Sequence, residues 1–216
     1  PLRKANAHKG NLGHVALVAG SQGMPGAAIL SGTSALRTGS GLVTVYTTKD
    51  IQDVVSGSQP ELMTMGLDSI DGAISTSNCD YLLDQMKNKA AVGIGPGLSR
   101  SKETENIVCQ LVRQSPIPTI IDADALNAFE GKIDLLSNTY NQPLILTPHP
   151  GEFSRITGKS VKEILSDRIT LSREFAQKRN VWLVLKGFRT LLAQPDGQIF
   201  VCPLGNPGMA TAGMGD

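Results

Sequence analysis

Asp122 and Asp124 are two carboxylates set one residue apart, directly after the apolar run Thr119-Ile120-Ile121. Charge at the end of a buried segment is costly unless it holds a cation, caps a helix or meets polar groups of a ligand. The pair is therefore a candidate for ligand or cation contact, and capping of a helix by one of them satisfies the same residues. His149-x-x-Glu152 follows the next apolar run, Leu144-Ile145-Leu146, and brings an imidazole and a further acid to the corresponding place. Lys186, Gly187, Phe188, Arg189 and Thr190 leave another run with a cation on pliable backbone, where phosphate is welcome and where a merely solvated lysine is equally at home. The closing stretch, Asn206-Pro207-Gly208-Met209-Ala210 to Gly213-Met214-Gly215-Asp216, is sharper. Backbone N–H groups around Gly213 and Gly215, unobstructed by side chains, can line an anion hole at a helix start, with the Asp216 carboxylate beside it. A phosphoryl group in transit needs its charge neutralised next to a base that takes a hydroxyl proton, and this stretch offers both.

Three other motifs point away from common sites. Residues 20–26 read G-x-x-G-x-x-G, not the G-x-G-x-x-G of dinucleotide folds, and no acid caps the following strand, so the loop is either a ligand contact or a tight turn. Thr157-Gly158-Lys159-Ser160 ends like a phosphate-binding P-loop, but Phe153 stands where the first glycine is required and a helix precedes it, so a helix cap is expected. Histidines at 8, 14 and 149 offer no zinc spacing. Gly95-Pro96-Gly97 lets a ligand approach the backbone closely, and a rigid turn has the same composition.

The elements that must position these residues follow from hydrophobic periodicity. Apolar runs at 14–20, 42–47, 90–95, 119–121, 144–146 and 181–185 read as strands, with a further short run at 62–67. Helical spacing is expected at 27–37, weakly at 50–55, and at 81–89, 102–113 and 160–178, the last being the longest. Pro195-Asp196-Gly197 between 190–193 and 198–202 signals a hairpin. Strands alternating with helices predict a mostly parallel sheet covered on both faces, with ligands at the carboxyl ends of its strands.

Composition narrows the classes further. The 216 residues carry 20 Lys and Arg against 19 Asp and Glu, so a basic face for nucleic acid is not expected, and aromatics at 4% offer little base stacking. No apolar run approaches the roughly 20 residues of a membrane span. Three widely spaced cysteines and the lack of any N-x-[ST] acceptor lead us to expect a cytoplasmic protein. The chain opens on Pro1 without a basic and apolar leader, and both ends are expected to be cut.

The order of motifs resembles a known family. Gly13-His14-Val15, Gly41-Leu42-Val43-Thr44-Val45, Gly95-Pro96-Gly97, Asp122-Ala123-Asp124-Ala125-Leu126-Asn127, Thr147-Pro148-His149-Pro150-Gly151-Glu152, Leu185-Lys186-Gly187 and the closing glycine stretch together are similar to the ADP- or ATP-dependent NAD(P)H-hydrate dehydratases of the ribokinase-like superfamily. The resemblance implies an α/β fold, a ribokinase-like three-layer α/β/α sandwich with a mostly parallel central sheet, as one domain over residues 1–216. It implies repair of hydrated NADH and NADPH (NADHX, NADPHX) by phosphorylation of the ring hydroxyl and elimination of phosphate, with Mg2+ and with ADP or ATP as co-substrate. On this chain it implies Asp216 as the base, Gly213 and Gly215 as the anion hole, and Lys186, Gly187, Phe188, Arg189, Thr190 and Gly215 as the nucleotide site. Ala27, Gly97, His149 and Asp216 are implied as hydrate-binding positions, and Glu152 as a water-mediated magnesium contact. A homo-oligomer, specifically a tetramer, and fusion to an NAD(P)H-hydrate epimerase domain are implied as well. Family members continue past the Gly-Met-Gly-Asp motif with helices that help enclose the adenine, so a missing C-terminal helical segment is expected. The alternatives are a ribokinase-like vitamin kinase using the same anion hole and base, and a non-catalytic nucleotide-binding protein.

Overall fold

A computed structural model describes residues 5–137 and 142–216; Pro1 lies outside them. The first half runs β1 (His14–Val18), α1 (Pro25–Arg37), β2 (Leu42–Thr48), α2 (Lys49–Ser58), β3 (Met63–Leu67), β4 (Ser69–Ile70), β5 (Ala73–Ile74), α3 (Cys79–Met86) and β6 (Ala91–Ile94). The second runs α4 (Lys102–Gln114), β7 (Thr119–Ile121), α5 (Asp124–Asn127), β8 (Leu144–Leu146), α6 (Pro150–Thr157), α7 (Val161–Ser166), α8 (Arg168–Arg179), β9 (Trp182–Leu185), β10 (Leu191–Ala193) and β11 (Ile199–Val201).

Nine strands form one sheet in the order β11-β10-β9-β8-β7-β6-β1-β2-β3. All pairings from β3 to β9 are parallel, and β9-β10-β11 continue antiparallel through the hairpin that Pro195-Asp196-Gly197 signals. The chain leaves β1 in one direction towards β3, then returns to β6 on the other side of β1 and proceeds the opposite way to β9. Right-handed crossovers put the connecting helices of these two excursions on opposite faces of the sheet. Leu17, Val43 and Val45 accordingly pack with Ala28 of α1 and with Ile51 and Val55 of α2. Val18, Ile94, Ile121, Leu146 and Leu183 on the other face pack with residues of α3 to α8, among them Leu111, Phe153 and Phe175. The rings of Phe153 and Phe175 meet edge-on at 5.1 Å and 71°, a contact worth roughly 0.5–1.5 kcal/mol beyond burial.

Helices thus lie on both faces of the sheet, as the alternation of strands and helices predicts. Gly93, Ile120 and Ile145 continue the Leu17 face by register, yet no described helix of the second excursion lies there, and Ile120 is 38% exposed.

Local signals explain the helix ends. In α4, Ser101 Oγ accepts from Thr104 N, Glu103 and Glu105 occupy the first turn, and Ile107, Val108, Leu111 and Val112 form the buried stripe. The helix expected over 160–178 is two helices. Asp167 adopts φ −146°, ψ 61° and its carboxylate accepts from Thr170 N, so the local cap outcompetes helical continuation. Gly158 closes α6 in left-handed conformation (φ 72°) and Ser160 opens α7 with a capping box to Glu163, so Thr157-Gly158-Lys159-Ser160 is a cap and not a P-loop. Among the described residues no helix is long and apolar enough to cross a membrane.

Candidate active site

The chain reverses its strand order between β1 and β6, and ligands of open α/β sheets bind in the crevice such a reversal leaves at the strands' carboxyl ends. Two glycine loops close that crevice. Gly20 N donates to Pro96 O at 2.8 Å, which ties the loop after β1 to Gly95-Pro96-Gly97 after β6. Gly97 has φ +65°, and a Cβ there would stand 2.8 Å from Ala27 Cβ, so Ala27 at the start of α1 and Gly97 are neighbours. Gly95 has φ +136°, and a Cβ there would stand 1.8 Å from Asp122 O, a collision with backbone.

The carboxylates after β7 divide their work. Asp124 opens α5, accepts from Ser99 N at 3.0 Å and lies 3.4 Å from Asn127 Nδ2, whose Oδ1 accepts from Arg155 at 3.0 Å. It braces the loop after β6 and does not cap α5, whose N-cap position is Ala123 with no side-chain cap bond, so the helix-cap reading of the pair does not hold. Asp122 is buried and accepts from Lys186 Nζ at 2.7 Å. Lys186 leaves β9, and its N–H donates to Pro148 O at 2.8 Å, joining the loops after β8 and β9. Its ammonium also lies 3.9 Å from Glu152 Oε2.

His149 and Glu152 form a reciprocal cap at the start of α6. His149 Nδ1 accepts from Gly151 N and Glu152 N, while Glu152 Oε2 accepts from His149 N at 2.7 Å. Two amides at Nδ1 leave the ring hydrogen on Nε2, and the ring is half exposed with that nitrogen 3.4 Å from Glu152 Oε1. Glu152 itself is buried.

The glycine stretch closes over this group. A Cβ on Gly215 would lie 3.4 Å from Lys186 Nζ, and one on Gly213 (φ +78°) would lie 2.6 Å from Leu30 Cδ1 of α1. Asp216 N donates to Gly213 O at 3.2 Å, and Met214 N to Thr211 O at 3.4 Å, whereas the amides of Gly213 and Gly215 donate to no protein acceptor among the described residues. Burial pushes the Asp216 carboxyl above the usual carboxylate range; repulsion from Asp122 and Asp124 adds to this and Lys186 opposes it. Asp216, Gly213, Gly215, Lys186, Glu152 and Asp122 are thus brought together. Ala27 and Gly97 line the adjoining crevice. The side chains of Phe188 and Arg189 are not brought in: Phe188 is 84% exposed with the Arg189 guanidinium 5.3 Å above its ring, so this pair reaches the site only through its backbone.

The sequence pattern of the NAD(P)H-hydrate dehydratases matches residues 15–216. The ADP-dependent (S)-NAD(P)H-hydrate dehydratase of Bacillus subtilis is 36% identical over 219 residues, covering 100% of this chain and 73% of its own length. The chain belongs to the NAD(P)H-hydrate dehydratase family. The bifunctional NAD(P)H-hydrate repair enzyme Nnr of Moorella thermoacetica is 42% identical over 217 residues, and the chain spans 41% of that protein's length. The crystal structure of the Bacillus subtilis ADP/ATP-dependent NAD(P)H-hydrate dehydratase, co-crystallized with ATP/Mg2+, superposes with TM-score 0.79 at 34% identity, over 99% of this chain and 72% of that one. A ribokinase-like superfamily protein from Enterococcus faecalis superposes with TM-score 0.79 at 26% identity, over 99% of this chain and 71% of its own. This dehydratase-family chain has the ribokinase-like α/β fold.

Two members of the candidate site carry little sequence signal. Asp122 stands out as a carboxylate, but its partner Lys186 lies 64 residues away and spacing alone cannot pair them. Arg168, which contacts the 186–190 loop, looks like an ordinary helical arginine.

Proposed function

We propose that this protein dehydrates hydrated NADH and NADPH at the expense of ADP or ATP, returning the working nicotinamide coenzymes. The observation that carries the reading is Asp216, its carboxyl pushed up by burial, set beside Lys186 and the unengaged amides of Gly213 and Gly215. Lys186 and the backbone of Gly187, Phe188, Arg189 and Thr190 receive the nucleotide phosphates. Ala27, Gly97 and His149 contact the hydrate, with Nε2–H of His149 as a donor. Asp216 takes the proton of the ring hydroxyl as its oxygen attacks the terminal phosphorus, and AMP or ADP departs. Amides aimed at the moving phosphoryl oxygens stabilise charge where it develops. Phosphate then leaves with the former hydroxyl oxygen while the adjacent carbon gives up a proton, which restores the ring double bond.

Magnesium would arrive with the nucleotide. No cluster of three or more His, Cys, Asp or Glu able to hold a metal occurs among the described residues. Glu152, buried with its second oxygen turned towards His149, fits as an outer contact to a hydrated ion, because Mg2+ keeps several waters and needs few protein carboxylates beside phosphates. The ion would supply charge neutralisation at the phosphates.

The reading extends to residues 1–216 as one domain of a cytoplasmic homo-oligomer, a tetramer, whose mass light scattering after gel filtration would report. The deciding experiment incubates the purified protein with hydrated NADH, magnesium and either ADP or ATP. Recovery of reduced-nicotinamide absorbance with one phosphate released per turnover is expected; absence of both with either nucleotide would refute the reading.

A further inference from the structure

We propose that Arg168, the first residue of α8, is a positioning residue that holds the 186–190 loop in its phosphate-receiving form. The inference rests on the reading of that loop as the nucleotide-phosphate site. One guanidinium collects three carbonyls of this segment: Nη1 donates to Phe188 O at 2.7 Å, and Nη2 to Leu185 O at 3.2 Å and to Arg189 O at 3.4 Å. In a trans peptide the N–H points opposite to the C=O of the same unit. Drawing the Phe188 and Arg189 carbonyls towards α8 therefore turns the N–H groups of Arg189 and Thr190 to the opposite side of the loop. Those two amides donate to no protein acceptor among the described residues. The third carbonyl, that of Leu185, belongs to the unit whose N–H is the Lys186 donor to Pro148 O, so the same guanidinium also fixes the base of the lysine.

Two further features set Arg168 apart from an ordinary packing residue. Arg189 sits at φ +54° and Gly187 at φ +140°, and a non-glycine residue in the left-handed region costs on the order of 1 kcal/mol or more unless its surroundings impose it. Successive amides exposed by such alternating backbone form a concave anion receptor. In addition, no carboxylate pairs with Arg168 among the described residues, and its Nε is buried without a partner. Its positive charge, balanced only by carbonyl dipoles, faces the loop from behind and adds to the potential that draws a phosphate.

The test uses the full chain with Arg168→Lys, Arg168→Ala and Lys186→Ala, reading ADP and ATP affinity by titration calorimetry, both Michaelis constants, and thermal melting. Lysine at 168 keeps the charge but cannot span three carbonyls with a planar fork. Arg168→Lys should therefore weaken nucleotide binding by on the order of tenfold or more, with the Michaelis constant for the hydrate within about twofold. Arg168→Ala should do the same if its melt shows a folded protein; should it be unfolded, Arg168→Lys decides. Nucleotide affinity within about twofold of the parent in Arg168→Lys, or an equal rise in both Michaelis constants, overturns the proposal. If Lys186→Ala loses nucleotide while Arg168→Lys keeps it, the positioning role falls alone. If both keep it, the loop is not the phosphate site and the proposal falls with that reading.

Discussion

Gly95 and Gly215 sit at the same edge of the sheet for opposite reasons. Gly95 is required by the protein itself: with φ +136° and the Asp122 carbonyl where a side chain would begin, no other residue fits. Gly215 has room, since its nearest obstacle is the far end of the Lys186 side chain at 3.4 Å. A glycine that the fold does not need, beside an unengaged amide and a lysine, leaves space for something that is not protein. The contrast separates glycines that build the crevice from glycines that serve its occupant.

The largest effect should come from the first kind. Gly95→Ala is expected to cost about 4 kcal/mol or more, the scale of severe backbone strain and overpacking, measured as a lowered denaturation midpoint or as failure to fold. A variant that melts like the parent would dissolve the distinction. Asp216→Asn should leave stability unchanged and lower kcat by on the order of a hundredfold, with nucleotide affinity kept within a few-fold. If it is instead destabilised by about 1 kcal/mol and fully active, Asp216 is a capping residue and the base lies elsewhere. Because the base works deprotonated and its carboxyl is raised, the parent rate should fall with acid at a pH above the ordinary carboxylate range. Lys186→Ala should raise the Michaelis constant for the nucleotide by roughly tenfold and that for the hydrate less; equal increases would detach the lysine from the phosphates. Gly215→Ala should be the mildest, keeping the melting temperature while lowering kcat/KM by roughly fivefold to tenfold, which sharpens the comparison with Gly95→Ala.

Much of the scaffold is legible in the sequence because most of the parallel strands are short apolar runs followed by glycine or a polar residue. Gly20, Gly95, Asp122, Thr147 and Lys186 mark those ends, and all five lie at the carboxyl edge of the sheet. The break at Asp167 is hidden because a one-residue cap leaves helical periodicity nearly intact on both sides. The helix α5 is four residues long and the strands β4 and β5 two each, too short for any period to register. At the candidate site, residue types reveal the bases, acids and glycines, but pairings such as Arg155 with Asn127, 28 residues apart, are set by topology.

The bond between Lys186 and Asp122 spans 64 residues, and the register of β1 with β6 joins Val15 to Ala91. Contacts so distant along the chain form only after long loops have closed, which makes parallel architectures slow to fold. The lysine reaches its carboxylate only once β9 has docked beside β8. The candidate site is therefore complete only when β9, the last of the parallel strands, is in place. Recovery of turnover after dilution from denaturant should trail recovery of helical signal, so the enzyme's own reaction reports the completion of its fold.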